Sequence, residues 1–249
     1  MSCRNFPSRL QSMKRQSGTL YVVGTPIGNL EDITYRAVKT LQECSLILAE
    51  NGTNSKKLAL SLKIETPIKQ LYASTKEEDL DWLWKIFEEG KDVSYISDAG
   101  TPGVSDPGAN LVRYCRKRDI PVSPIPGPSS LTALLSVSGW QTNPAYFLGF
   151  LPDKNSQKKN LLQKFVSEEC LIVVFESVHR IQNLLELLRE VYPGAEILVG
   201  RELTKSYEEI ILISPEEPIP KVTAKGEFAV IVNNRLKKIA KERKATTDI

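Results

Sequence analysis

The sequence predicts a two-domain α/β protein, with a mostly parallel sheet in the first domain and a mixed sheet in the second. Short apolar runs alternate with amphipathic stretches from Leu20 onward, which is the strand–helix–strand rhythm of a parallel sheet. The stretch PIPGPSS at 124–130 has three prolines and one glycine in seven residues, so it predicts a stiff connector between domains. Beyond it, the last apolar runs follow one another closely, which favours a mixed sheet.

At 249 residues, the chain is long enough for one large domain or two small ones. Each end carries a net charge of +4, whereas the whole chain carries only +3, so the core between the ends is net acidic. The basic ends could bind nucleic acid or could be solvated tails, and the sequence leaves both interpretations open. We expect a basic extension, two domains and a basic tail, at 1–17, 18–125, 126–234 and 235–249.

The first domain begins with an apolar strand at 20–23, which leads into the loop GTPIGN. An amphipathic helix follows at 33–44, with Asp32 or Thr34 as its N-cap. The next strand, at 46–49, ends at Glu50. A helix, a strand, an acidic helix, a basic helix end and a last strand are then predicted, at 56–62, 67–71, 76–89, 113–118 and 121–125.

The stretch YISDAGTPGVSDPG, at 95–108, is the best candidate for a ligand-binding loop. Three glycines, two prolines and two aspartates occupy its last eleven residues, a composition that excludes a regular helix or strand. We expect a strand that stops at Ser97 or Asp98 and a helix that starts at Asp106–Pro107. Loops at the carboxyl ends of strands bind ligands in open α/β sheets, and an ordinary turn needs only one glycine and one capping aspartate.

The second domain is predicted to begin with a helix of small residues and to end in several strands. Ser177 is the expected N-cap of a helix that ends at Val191. The predicted strands are at 146–151, 171–175, 197–199, 209–213 and 227–232.

Several classes of protein are disfavoured by motifs that the chain lacks. It contains neither G-x-G-x-x-G nor a G-x-x-x-x-G-K-[ST] phosphate loop, which argues against NAD and ATP. S-adenosylmethionine, which carries no phosphate, suits glycine-rich loops at strand ends better. Four dispersed cysteines and one histidine make a metal site unexpected. Without a long apolar run or a signal-like start, we expect a cytoplasmic protein that neither spans nor anchors in a membrane.

Seven motifs, in chain order, resemble the tetrapyrrole-methylase superfamily, and within it the branch that methylates the 2′-hydroxyl of a cytidine in 16S ribosomal RNA. They are GTPIGNLEDIT, SDAGTPGVSDPG, PIPGPSSL, GFLP, FESVHR, RELTK and GEF, and the resemblance covers about 18–233. The resemblance implies two α/β domains with S-adenosyl-L-methionine in a cleft between them, usually in a homodimer. The implied partner is 16S rRNA or the small ribosomal subunit.

The resemblance also implies which residues bind the cofactor. Those in GTPIGN and in the central loop would line its site, and those of the second domain would close over the adenosine. The implied cofactor-binding residues are Pro26, Asp98, Ala99, Gly100, Thr101, Val104, Ser105, Asp106, Ser129, Ser130, Phe150 and Gly226.

The implied reaction is a direct displacement, in which a ribose hydroxyl attacks the methyl group and gives up its proton. The sulfonium is already reactive, so no metal is needed. Glu50 and His179 are the candidate catalytic residues, although a carboxylate at a strand end is often only a cap. Arg180, Arg201 and Lys205 follow two strands that we expect to be adjacent, and they are the candidate contacts to RNA phosphates. The alternative is an ion pair between Arg180 and Glu202.

The chain departs from the pattern of the superfamily branch at two places. It has Glu50-Asn51-Gly52-Thr53 where the branch has an acidic residue followed by Asp-Thr-Arg, and 71–75 lacks the usual histidines. Two alternatives therefore stay open. One is a methyltransferase for a tetrapyrrole or a protein side chain, and the other is an inactive RNA-binding relative.

Overall fold

The structure is a computed structural model that describes residues 17–72, 74–106, 108–223 and 225–235. The extension predicted at 1–17 and the tail predicted at 235–249 therefore lie almost wholly outside the described residues, and their proposed role in binding RNA stays a prediction.

The chain divides into two compact units. Unit 1 comprises Met1–Thr25 and Ile33–Gly127, and unit 2 comprises Pro26–Asp32 and Pro128–Ile249. The sequence analysis places the boundary two residues earlier, after Ile125, and assigns 26–32 to the first domain. The short segment 26–32 is packed with unit 2 because its contacts lie there, as described below.

Unit 1 is built on a five-stranded parallel sheet, as the strand–helix rhythm predicts. Its strand order is β3-β2-β4-β1-β5. The strands are β1 (Leu20–Val23), β2 (Leu46–Ala49), β3 (Ile68–Gln70), β4 (Val93–Ile96) and β5 (Val122–Ile125). The helices are α1 (Tyr35–Glu43), α2 (Gly52–Ser61), α3 (Asp81–Glu88) and α4 (Ala109–Arg116), with short 3₁₀ turns at Leu30–Asp32, in unit 2, and Glu77–Leu80.

Apolar side chains on both faces of this sheet are buried, which explains why the strands read as continuous apolar runs. One face packs against α3 and α4, with Leu83 and Tyr114 fully buried. The other packs against α1 and α2 around Leu41. Thr34, one of the two expected caps, begins α1, and its hydroxyl oxygen accepts a hydrogen bond from the Ala37 backbone N–H at 3.1 Å.

The start predicted for α4 is wrong by two residues. The helix begins at Ala109 with Gly108 as its N-cap, and Asp106 is not a cap. Gly108 has φ 124°, and a Cβ at this position would lie 2.5 Å from the Tyr95 ring. The chain must therefore pass the buried ring of Tyr95 before it can turn into the helix, and only glycine fits there.

Unit 2 contains a mixed five-stranded sheet, which confirms the predicted fold class. Its order is β6-β7-β10-β8-β9, in which only β6 and β7 are parallel. The strands are β6 (Ala145–Phe150), β7 (Leu171–Glu176), β8 (Glu196–Arg201), β9 (Glu209–Ile213) and β10 (Phe228–Asn233). The helices are α5 (Ser130–Ser136), α6 (Asn155–Gln163) and α7 (Ile181–Val191).

Helices cover both faces of this second sheet. Helices α6 and α7 pack on one face, where Leu162 and Leu188 are fully buried, and α5 packs on the other through Leu134. The N-cap of α7 is Arg180, so the expected cap Ser177 is wrong by three residues. Within the described ranges, no helix is long and apolar enough to cross a membrane.

Candidate functional site

The carboxyl ends of β1, β2 and β4 meet at one edge of the parallel sheet in unit 1. These three strands are neighbours, so the loops that follow them lie side by side. The loop after β4 contains most of the cofactor-binding residues that the resemblance implies. They are Asp98, Ala99, Gly100, Thr101, Val104, Ser105 and Asp106.

Backbone contacts hold these loops together. Thr25 and Gly100 form an isolated antiparallel bridge, in which the Thr25 N–H donates to the Gly100 carbonyl at 2.9 Å and the Gly100 N–H donates back at 3.1 Å. Gly24 lies directly against Gly127, and a Cβ on Gly24 would be 2.8 Å from the Gly127 Cα. The edge therefore depends on close backbone approach, which glycine alone permits.

Three carboxylates, Glu50, Asp98 and Asp106, form what we call the acidic cluster. The Asp98 backbone N–H donates to Glu50 Oε2 at 3.3 Å, and Asn54 Nδ2 donates to Asp98 Oδ2, also at 3.3 Å. Within the described part of the chain, none of the three forms a salt bridge with a cation. The cluster thus carries negative charge that these residues leave unbalanced.

Burial and charges in the cluster raise the pKa of Asp106 and the pKa of the nearby Tyr95. Burial, then the charges of Glu50 and Asp98, raise the pKa of Asp106 to about 6, while a hydrogen bond from Ser97 opposes the rise. The pKa of Tyr95 is raised by burial and by the same cluster. A positive ligand at this edge would relieve the repulsion between the carboxylates.

The sequence analysis missed three residues that shape this edge: Asn54, Tyr95 and Ser97. Asn54 directly follows the run Glu50-Asn51-Gly52-Thr53, in which the chain departs from the superfamily branch, and its amide contacts a carboxylate of the cluster. Asn54 could have been predicted as a site residue, because its short amide side chain follows closely on Glu50, the carboxylate at the end of β2. Nothing in the sequence indicates that Tyr95 and Ser97 lie beside Asp106.

In unit 2, the segment Pro26–Asp32 packs against the RELTK turn that follows β8. The Asn29 backbone N–H donates to Thr204 Oγ1 at 3.2 Å. A Cβ on Gly28 would lie 2.4 Å from Lys205 Cγ, so this glycine allows the close approach. Pro26, implied as a cofactor contact, begins this segment and is half-buried.

Lys205, a predicted RNA contact, is bound by two carboxylates. Its Nζ donates to Glu202 Oε1 at 2.8 Å and to Glu227 Oε2 at 2.9 Å. Partial burial lowers the pKa of Lys205, but these two hydrogen bonds outweigh that effect and raise it. Gly226, another implied cofactor residue, has φ 99°, and a Cβ there would lie 2.4 Å from Glu202 Cγ.

Arg180 and Arg201 are bound in the same way. Arg180 Nε donates to the buried Glu176 at 2.7 Å, and Arg180 Nη1 contacts Asp153. Glu176 also accepts from Lys158 Nζ at 3.1 Å, with both side chains almost fully buried. Arg201 Nε donates to Glu209 Oε2 at 2.9 Å.

We call Arg180, Arg201 and Lys205, with the carboxylates that bind them, the paired cluster. The alternative prediction, an ion pair between Arg180 and Glu202, is wrong, because Arg180 binds Glu176 and Glu202 binds Lys205. The expected adjacency of β7 and β8 is also wrong, because β10 lies between them and Phe228 faces both Glu176 and Arg201. The two strand ends still share one edge of the sheet. The role of the three cations in binding RNA stays a prediction.

The remaining predicted residues of unit 2 are spread along this sheet. Ser129 is the N-cap of α5, and Ser130 is its first residue. Phe150 ends β6 and is 55% exposed, with its ring 5.7 Å from that of Phe175. His179 is exposed in the turn before α7. The roles of these residues in binding and catalysis stay predictions.

Comparison with protein families identifies the relatives of the chain. The family model described as tetrapyrrole (corrin/porphyrin) methylases matches residues 19–243. A relative named ribosomal RNA small subunit methyltransferase I, from Leptospira biflexa serovar Patoc, is 46% identical over 238 residues, which cover 95% of this chain and 99% of the relative.

Two solved structures share the fold. The methyltransferase CobJ has a TM-score of 0.63 and 18% identity, covering 88% of this chain and 95% of that one. Uroporphyrin-III C-methyltransferase from Thermus thermophilus, solved with S-adenosylhomocysteine, has a TM-score of 0.58 and 20% identity, covering 88% of this chain and 99% of that one. At these identities the likeness concerns the fold alone.

Proposed function

Because the chain belongs to the family of tetrapyrrole (corrin/porphyrin) methylases, we propose that it transfers a methyl group from S-adenosyl-L-methionine to ribosomal RNA of the small subunit. The acceptor that we propose is the 2′-hydroxyl of a cytidine in 16S rRNA. The identity of 46% to a relative named as a small subunit rRNA methyltransferase supports the choice of RNA over a tetrapyrrole or a protein.

The observation that carries the proposal is the acidic cluster beside the glycine-rich loops of unit 1. S-adenosylmethionine has a positive sulfonium and an ammonium, and it supplies an activated methyl group when bound. Glu50, Asp98 and Asp106 have the charge that such a ligand requires, and they lie at the edge where the Thr25–Gly100 bridge and the Gly24–Gly127 backbone contact bring the strand-end loops together. The residues present therefore fit the cofactor.

In this proposal, separate side chains bind the cofactor and accept the proton. Asp98 accepts hydrogen bonds from the cofactor, and the loop 98–106 shapes its site. Glu50, whose carboxylate is oriented by the Asp98 N–H at 3.3 Å, is the first candidate to take the proton from the attacking hydroxyl, and His179 is the second. The proposed closing residues of unit 2 are Ser129, Ser130, Phe150 and Gly226, together with Pro26.

Two measurements test the proposal. Calorimetric titration with S-adenosylmethionine should show binding by the metal-free protein. Incubation with unmethylated small subunits, followed by mass-spectrometric mapping of ribose methylation, should then show one new 2′-O-methylcytidine. Binding without transfer to RNA would support the inactive RNA-binding relative, and failure of both would overturn the proposed function.

The proposal has two consequences for the protein in the cell. A ribosomal substrate would place the protein in the cytoplasm of a bacterium. The homodimer that the family resemblance implies is tested by light scattering of the purified protein, for which a monomeric mass is the opposing result.

A further inference from the structure

Unit 1 contains a groove that the functions described so far do not use. It has a volume of about 580 Å³ and runs along α4. Val22 of β1 and Val112 of α4 are among the apolar side chains that line it, and Arg113, Arg116 and Lys117 are its cations. We call it the α4 groove.

The three cations recur on one side of α4. Residues three and four positions apart share a face of an α-helix, so Val112, Arg113, Arg116 and Lys117 form one stripe over about one and a half turns. All three cations are exposed. The lining contains no carboxylate among the described residues, so its own charge is +3.

One carboxylate beside the groove compensates part of this charge. Glu77 accepts from Arg113 Nη1 at 3.4 Å and from Lys117 Nζ at 2.7 Å. The hydrogen bond from Lys117 is the main cause that lowers the pKa of Glu77, and Arg113 adds to it. Arg116 is in no salt bridge with any described residue. Glu77 therefore balances one of the three positive charges of the groove. Arg116 is available to bind a ligand, because no described carboxylate pairs with it.

The groove also reaches the acidic cluster. Tyr95 lines it, as do Pro102 and Gly103 of the loop that follows β4. Tyr95 lies on β4, and Asp98 and Asp106 of the cluster belong to the loop that follows this strand. One end of the groove therefore adjoins the edge where we place the cofactor, within the same unit.

We propose that the α4 groove binds the single-stranded RNA next to the methylated nucleotide. Phosphates lie against Arg113, Arg116 and Lys117, and a base lies on the apolar floor formed by Val22 and Val112. The favourable effect of cations near a helix C-terminus explains their position on α4. It does not explain why they border an apolar groove that leads to the central loop.

This inference rests on the proposed function, and it names the part of the molecule that holds the substrate. An acidic protein segment could also bind these cations. Unlike RNA, it carries no nucleobase that would lie flat on the apolar floor formed by Val22 and Val112. Repeated phosphates, spaced along a chain, match a stripe of three cations along about one helical turn better than a single free nucleotide does.

Binding of a short fluorescent single-stranded RNA, measured by anisotropy at several salt concentrations, tests the proposal. Arg116→Glu should weaken binding about tenfold or more, because a charge-assisted contact is replaced by repulsion. Arg116→Ala should flatten the dependence of log affinity on log salt by about 0.7. The matched control is Arg36→Glu, an exposed arginine on α1, which packs on the opposite face of the sheet.

A second variant gives the opposite change. Glu77→Gln removes the carboxylate that occupies Arg113 and Lys117, so RNA should bind several-fold more tightly. A gain of affinity cannot result from loss of folded protein. Thermal unfolding of all variants checks that Arg116→Glu remains folded.

Two results would overturn the groove. One is that Arg116→Glu and Arg36→Glu weaken RNA binding equally, and the other is that Arg116→Glu leaves RNA binding unchanged. Methylation of small subunits is the separate readout. If Arg116→Glu methylates them as well as the wild type does, the groove is wrong and the proposed function stands. If the wild type transfers no methyl group, the proposed function fails, and RNA affinity alone judges the groove.

Discussion

The acidic cluster of unit 1 and the paired cluster of unit 2 both lie at a sheet edge, yet their charges are arranged in opposite ways. In the paired cluster, every cation is bound to a carboxylate, and Glu176 is fully buried with Lys158. In the acidic cluster, three carboxylates share no cation among the described residues. Balanced charge indicates a structural role, whereas unbalanced charge indicates that a ligand completes the site.

The largest effect should come from breaking the paired cluster. Glu176→Ala leaves Lys158 buried without its partner, so we expect a loss of about 3–5 kcal/mol in the free energy of unfolding. Glu190→Ala is the matched control, because Glu190 pairs with the neighbouring lysine, Lys159, at the surface. It should cost about 0–1 kcal/mol. Urea unfolding measures both, and similar losses would show that burial of the pair does not matter.

The acidic cluster should respond through ligand binding instead. Asp98→Ala keeps the backbone N–H that donates to Glu50 but removes the carboxylate. Calorimetry should show S-adenosylmethionine affinity reduced by about 1.5–3 kcal/mol, with stability changed by less than about 0.5 kcal/mol. Asp153→Asn, in the paired cluster, is the control and should leave the affinity as it is. Unchanged affinity in Asp98→Ala would remove this residue from the cofactor site.

Lys205 tests whether the paired cluster is only structural. Lys205→Met leaves Glu202 and Glu227 without the cation between them, so unfolding free energy should fall by about 1–2 kcal/mol. RNA affinity should stay within error once folded protein is compared. Lys221→Met, at an exposed lysine, is the control. Weaker RNA binding with unchanged stability would instead make Lys205 the phosphate contact that the sequence analysis predicted.

The smallest effect concerns pH. The raised pKa of Asp106, about 6, means that this carboxyl gains its negative charge as the pH rises through that value. A cationic cofactor should therefore bind more tightly above pH 6 than below it, by about 1 kcal/mol or fivefold. Titrations across this range measure the change, and Asp106→Asn should bind with nearly constant affinity. A wild-type affinity that falls with rising pH would contradict the placement of the cofactor.

The sequence predicted the acidic cluster better than the paired cluster, for a physical reason. The composition of the loop after β4 excludes regular structure by itself, so Asp98 could be placed at a strand end from local information. The partner of Lys205, Glu227, is 22 residues away on another segment. Finding it requires the strand order, which the sequence did not give, because β10 inserts between β7 and β8. The predicted N-cap of α4 was wrong for a similar reason, because the position of the N-cap depends on the ring of Tyr95 in another element.

The packing of 26–32 against the RELTK turn affects how the protein is made. Asn29 and Thr204, which share a hydrogen bond, are 175 residues apart in the chain. At a synthesis rate of about 5–20 residues per second, the segment waits about 10–35 s on the ribosome before its partner exists. Unit 1 can therefore form its sheet while the chain grows, but unit 2 must recover a segment that emerged near the beginning. A gene cut between the two units would separate this segment from its partner, so the halves are not independent modules.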